Sequence, residues 1–152
     1  MNNCIICNKH SKDNSYNVYE NEHIIVSHGP LTSQVKGYFY IEFKRHIERW
    51  NELSYEEITE SSKMIQLLDE FLQENVYAER VYTVSISEAV RHLHIHVIPR
   101  NINMEMRGLD LIQQATQQCG MLENDLSNEE VVDLVNKANK FVAGKLINEV
   151  RK

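Results

Sequence analysis

From Arg91 to Arg100 the chain reads R-H-L-H-I-H-V-I-P-R, and polar and apolar positions alternate through its centre. Alternation with β-branched residues in the gaps predicts a half-buried strand. Side chains two apart share a face of a strand. His92, His94 and His96 therefore form a row on one face, and Leu93, Ile95 and Val97 are buried on the other. Pro99 has no amide hydrogen for a ladder, which predicts the end of the strand there. Upstream, Tyr16 to Tyr19 and His23 to Ser27 read as short strands joined at Glu20-Asn21-Glu22 in a hairpin. His28-Gly29-Pro30 is a turn signal. Gly37 to His46, G-Y-F-Y-I-E-F-K-R-H, is rich in aromatic and β-branched residues and predicts a central strand. Arg80 to Ile86 predicts a strand feeding the histidine strand. Only Ser87 to Arg91 lie between them, so the two are expected to be antiparallel neighbours.

The period changes twice to that of a helix. Ser54-Tyr55-Glu56-Glu57 is a capping box, in which the Ser hydroxyl accepts an amide hydrogen and Glu57 reaches back. The helix it opens carries Ile58, Ile65, Leu68 and Leu72 on one stripe, widened by Met64, Leu67 and Phe71, with Asn75 as its stop. A second box, Ser127-Asn128-Glu129-Glu130, opens a long helix toward Val150. Its face of Val131, Leu134, Val135, Ala138, Val142 and Ile147 is suited to core or dimer packing. Residues 101 to 126 show no firm period, and Cys119 within them reads as a packed or surface thiol. The order β-β-β-α-β-β-α with a mainly antiparallel sheet of about five strands gives an α+β domain. The whole chain, 1–152, reads as one domain: an N-terminal segment 1–15, a core 16–100 and a C-terminal extension 101–152.

Composition narrows the function. The net charge of −6 argues against a nucleic-acid polymer as partner, because phosphate backbones are bound by an excess of Lys and Arg. A single nucleotide needs only a local site and stays allowed. No apolar run approaches the roughly 20 residues of a membrane span, and no secretory signal is evident. Three Cys, two of them as Cys4-x-x-Cys7, suit a reducing compartment, so a cytoplasmic location is expected. The two-residue gap lets both thiolates reach one zinc, but half a site needs two more ligands from elsewhere. A redox pair or idle thiols are the alternatives at this point.

The histidine row carries the chemistry. At about 3.3 Å per residue, His92 and His96 lie roughly 13 Å apart. One zinc, with bonds of about 2 Å to each ring nitrogen, cannot easily collect all three. At least one is thus free for catalysis or phosphate contact. Neutral imidazole, with a pKa of about 6.5, is largely unprotonated at cell pH. It attacks phosphorus and leaves again, splitting one displacement into two easier ones. Adjacent donors stabilise charge on the equatorial phosphate oxygens.

H-L-H-I-H-V-I matches His-φ-His-φ-His-φ-φ (φ apolar), and with the following Pro-Arg it resembles the histidine-triad (HIT) nucleotide hydrolases and transferases. The resemblance implies that His94 attacks the α-phosphorus of a nucleoside phosphoramidate or dinucleoside polyphosphate to form a nucleotidyl-histidine. His96 would then hydrogen-bond the phosphate, with Ser87 and Glu88 of the preceding loop beside the substrate. In one bacterial branch of the family an N-terminal C-x-x-C joins two histidines on zinc. The matching set is Cys4, Cys7, His46 and His92, one closed structural zinc per chain, with His10, His23 and His28 as rival ligands. No organic cofactor is implied, and a homodimer is usual.

The chain also departs from the family. Phe43 stands where a Pro-Lys-x-His-like element has its proline, and Tyr38 where a His frequently follows the glycine. Ser87-Glu88-Ala89-Val90 replaces a G-Q-S-like element, so Glu88 stands near the Gln position and Ala89 near the hydroxyl. No acidic or amide residue for a ribose is evident in Ser27 to Gln34. A nucleotide-binding protein with little turnover is the competing expectation. An H-x-H metal enzyme on a barrel is the third, and the two capped helices argue against it.

Overall fold

The alternation around the histidines becomes strand β5 (His94–Asn101), third to last of the elements along the chain. A computed structural model describes residues 3–118 and 125–152 of the protein; Cys119 lies outside them. The elements run α1 (Ile5–His10), β1 (Asn17–Glu20), β2 (Ile24–His28), β3 (Phe39–Phe43), α2 (Tyr55–Val76), β4 (Ala78–Val84), β5, α3 (Gly108–Ala115) and α4 (Asn128–Val150). The five strands form one antiparallel sheet in the order β1-β2-β3-β5-β4. The fold is α+β with a long C-terminal helix, as the patterning predicts.

Each face of the sheet is written in the period of two. Phe39, Ile41 and Phe43 of β3, with Leu93, Ile95 and Val97, bury one face under α2 and α4 in a single apolar cluster. Burying a side chain of this size contributes about 1.5–3 kcal/mol. The other face carries Tyr40 and Glu42, which lie opposite His96 and His94 in the ladder. Two short helices cover its ends. α3 packs Leu111 and Ala115 onto Tyr38 and Ile98. At the other end α1 is held by Lys9 and His10, both bonded to the buried Glu42, at 2.8 and 3.1 Å. The strip between them leaves His94 and His96 at a cleft.

Both capping boxes form as expected: Ser54 with Glu57 and Ser127 with Glu130. Two elements run past the residue expected to end them. β5 does not end at Pro99 but continues to Asn101. The β3 ladder stops at Val97, so Pro99 is bordered by β4 alone, an edge-like position where a missing amide hydrogen is tolerated. α2 passes Asn75, whose side-chain amide donates to the Phe71 carbonyl, and stops when Tyr77 takes a left-handed conformation, φ 55°. α1 and α3 were not anticipated, because six and eight residues give too few turns for a period to show.

His28, one of the rival ligands, is instead a structural group at the β2–β3 turn. Its Nε2 accepts from the Gly37 amide at 2.9 Å and its Nδ1 donates to the Gly29 carbonyl at 2.8 Å. Burial lowers its pKa to about 4. An unfolded chain protonates this ring below about pH 6.5 while the folded chain resists until about pH 4, so stability falls as pH drops across that window. At about 1.4 kcal/mol per pH unit the loss approaches about 3 kcal/mol. Urea unfolding of His28→Gln is expected to show lower stability at pH 7 and a shallower decline between pH 6.5 and 4. An unchanged slope would remove His28 as the cause.

Candidate active site and metal centre

His94 and His96 project from β5 side by side, with ring centroids 4.8 Å apart. His94 has its tautomer set by the backbone. Its Nδ1 lies 2.7 Å from the His92 carbonyl, and a carbonyl only accepts, so Nδ1 carries the hydrogen. In the neutral ring Nε2 then keeps its lone pair. His96 is nine-tenths buried, and its Nδ1 lies 2.6 Å from the Tyr38 hydroxyl. Burial first, then the neighbouring His94, lowers its pKa to about 4, so His96 is neutral at pH 7. The cleft they share is lined also by Tyr40, Ile86, the loop Ser87 to Val90, Thr116 and Gln118. Among the described lining residues none is Lys or Arg.

The expected loop residues are at this cleft, each in its own way. The Ser87 hydroxyl reaches the His92 carbonyl at 3.5 Å, a long contact that ties the loop to the strand. Ser87 takes φ 53°, a backbone conformation more natural for glycine. Glu88 is exposed and lines the cleft, and Ala89 offers no hydroxyl. Arg91 is exposed and lines a separate depression with Cys4 and His46, outside the histidine pair.

His92 stands just before the ladder begins and turns to another centre. Its Nδ1 is 3.5 Å from Cys4 Sγ and 3.4 Å from Cys7 Sγ, and His46 Nδ1 is 3.3 Å from Cys7 Sγ. The four ligand atoms lie within 4.8 Å of one another. A tetrahedral ion with bonds of about 2.3 Å to sulfur and about 2.1 Å to nitrogen would hold S and N about 3.6 Å apart. The set therefore fits a metal ion. Cys4 caps α1, its sulfur accepting the Cys7 amide, so the capping turn itself brings the two sulfurs together. The His92 Nε2 donates to the Phe43 carbonyl at 2.6 Å, which leaves Nδ1 as the ligand atom. Burial, then Cys4, pushes the Cys7 thiol up, a penalty that a cation would remove. Of the other histidines, His10 is bonded to Glu42 and His23 pairs with Glu22.

Tyr38, Tyr40, Glu42 and Lys9 did not stand out in the sequence as parts of this region. Their signal was present: Tyr38, Tyr40 and Glu42 alternate with Phe39, Ile41 and Phe43, which assigns them to the histidine face. Lys9 lies over the Tyr40 ring at 5.1 Å and reaches Glu42 only through the turn of α1, which no local pattern encodes.

A family model described as HIT domain matches residues 11–103. No curated protein matches by sequence. Among solved structures the chain resembles a zinc-bound histidine triad family protein from Mycobacterium smegmatis, with TM-score 0.69 and 17% identity, covering 94% of this chain and 97% of that one. It also resembles a Plasmodium falciparum diadenosine triphosphate hydrolase, with TM-score 0.61 and 17% identity over 88% of this chain and 80% of the other. A uridylyltransferase matches at TM-score 0.66 and 16% identity, over 90% of this chain and 45% of its own.

Native mass spectrometry of the purified protein is expected to find one divalent ion per chain. Cys7→Ser should weaken its binding at least about tenfold, and His23→Ala should leave it unchanged. An ion that survives Cys7→Ser at full occupancy would place it elsewhere.

Proposed function

The chain belongs to the HIT domain family, and from that premise we propose that it hydrolyses or transfers nucleoside monophosphate groups through a nucleotidyl intermediate on His94. The observation that carries this is the His94 tautomer, with Nδ1–H donated to the His92 carbonyl and the Nε2 lone pair left for attack. In the first step Nε2 forms a bond to the α-phosphorus while the bond to the leaving group breaks; the electron pair departs with that group, which takes up a proton from solvent. In the second, water attacks phosphorus and gives up a proton to solvent, the N–P bond breaks and its pair returns to Nε2. His96 meets the phosphate as a hydrogen-bond donor.

Of the two leaving groups, an amine suits the cleft better than a polyphosphate. No Lys or Arg lines it among the described residues, and Glu88 adds a negative charge that a polyphosphate would meet. The metal is proposed to be zinc, one per chain, held by Cys4, Cys7, His46 and His92. A closed four-ligand site supplies no reaction step and braces the active-site strand. A cytoplasmic homodimer without nucleic acid or membrane as partner completes the proposal. Ile86 after the edge strand β4, Ile102 and Met106 between β5 and α3, and Leu109 in α3 are exposed apolar side chains of the kind a partner would cover. A nucleotide-binding protein with little turnover is the second reading, favoured by Ala89 where a hydroxyl donor would serve the reaction.

Incubation with a panel of nucleoside phosphoramidates and dinucleoside polyphosphates, quenched for intact-protein mass spectrometry, tests the two. Wild type is expected to gain a nucleotide-sized mass and form product. His94→Ala should gain none and lose at least about a thousandfold in turnover. Tight nucleotide binding without adduct or product would favour the second reading. Glu88→Gln is expected to raise polyphosphate turnover relative to phosphoramidate by about threefold to tenfold; an unchanged ratio would mean that Glu88 does not select the leaving group.

A further inference from the structure

We propose that Tyr38 is the positioning residue for His96: its phenol O–H donates to Nδ1 and so obliges His96 to present Nε2–H to the phosphate. The proposal rests on the functional reading above, and what it adds is the origin of the donor. The contact itself is short, 2.6 Å, and both groups are buried, Tyr38 with no exposure. His94 has a carbonyl as its partner, which leaves only one direction for the hydrogen. A phenol allows two directions, and proton affinity decides between them. Imidazole nitrogen is a far stronger base than a phenol oxygen, and a phenol O–H is a stronger acid than an imidazole N–H. The favoured bond is therefore O–H to N.

The fold is built to hold this hydroxyl in place. Gly29 stands against the Tyr38 ring so closely that a Cβ there would lie 2.5 Å from Cδ1. The Gly29 amide also donates to the Tyr38 carbonyl at 2.7 Å. The ring lies nearly parallel to His96, at 20°, and packs with Ile98 and Leu111 under α3. It has no room to swing away. Burial, then Tyr40, raises the phenol pKa, so the hydroxyl keeps its proton. His96 is neutral at pH 7 and must choose one nitrogen for its single hydrogen. With Nδ1 occupied as an acceptor, the hydrogen sits on Nε2. The paired histidines thus hold opposite tautomers, His94 with a lone pair at Nε2 and His96 with a hydrogen there.

The test is long-range ¹H–¹⁵N NMR of the metal-loaded protein labelled at histidine, with His96 assigned by His96→Asn. Wild type is expected to show His96 mainly as the Nε2–H tautomer. Tyr38→Phe should move at least about half of it to Nδ1–H, and kcat for a phosphoramidate should fall about tenfold with KM nearly unchanged. His96 found as Nδ1–H in wild type would overturn the proposal without need of any variant. Tyr38→Phe with unchanged tautomer and unchanged kcat would overturn it as well. If no substrate on the panel turns over, the functional reading fails while the tautomer still decides the role of Tyr38.

Discussion

The peptide of His92 joins two systems that would otherwise be separate. Its imidazole faces the two cysteines and His46, and its carbonyl accepts the Nδ1–H of His94. The carbonyl also anchors Ser87, so the loop beside the cleft converges on the same atom. A rotation of this one residue would disturb the Cys4–Cys7–His46–His92 cluster, the His94 tautomer and the loop together. Fixing it is therefore worth more than any single contact suggests. The Nε2 bond to the Phe43 carbonyl, at 2.6 Å, and the Leu93 amide bond to Ile47 supply that restraint from the protein side. A metal at the four-residue centre would supply it from the other.

The outer face of the sheet is organised around the same need. A bare face of Tyr40, Glu42, His94 and His96 would bury nothing and hold nothing. α3 closes one end with apolar contacts, and α1 closes the other with charges on Glu42. Glu42 is the costly part of this design, since burial opposes its charge. The His10 and Lys9 partners more than offset that cost and hold its pKa below the usual carboxylate range. A buried carboxylate with two tethers also fixes where α1 lies, and with it Cys4 and Cys7. The N-terminal segment is in this way part of the scaffold around the histidine cleft and not an appendage.

Much of this was legible in the sequence because it is local and periodic. The β strands, both capping boxes and the pairing of His94 with His96 follow from spacing alone, and the match to a family pattern pointed to Cys4, Cys7, His46 and His92 as one set. The row of three expected from that spacing holds only for His94 and His96, because the strand begins at His94 and His92 turns to the cysteines. What was not legible depends on contacts between distant segments. Nothing near Pro99 says that β3 has already ended beside it, so the strand's continuation could not be read. Nothing near Tyr38 says that its ring lies against Gly29 and its hydroxyl on His96, fifty-eight positions away. His28 illustrates the converse: by type it was a rival ligand, and only the Gly37 and Gly29 partners reveal a structural turn.

The electrostatics of the cleft follow from these packing choices. A buried, neutral His96 and no lysine or arginine at the described lining mean that a phosphate entering the cleft would be met there by hydrogen bonds and not by a fixed cation. Such a site gains little affinity for the ground-state anion. If the proposed attack at phosphorus takes place here, the site's donors would gain most as charge on the phosphorus oxygens rises, which is the differential binding that accelerates a reaction. The neutrality of His96 would also spare the proposed nucleophile: a charged His96 beside His94 would draw electron density from it. Under the proposed mechanism, opposite tautomers two positions apart on one strand would combine attack and stabilisation, and each tautomer would be set by a partner outside the pair.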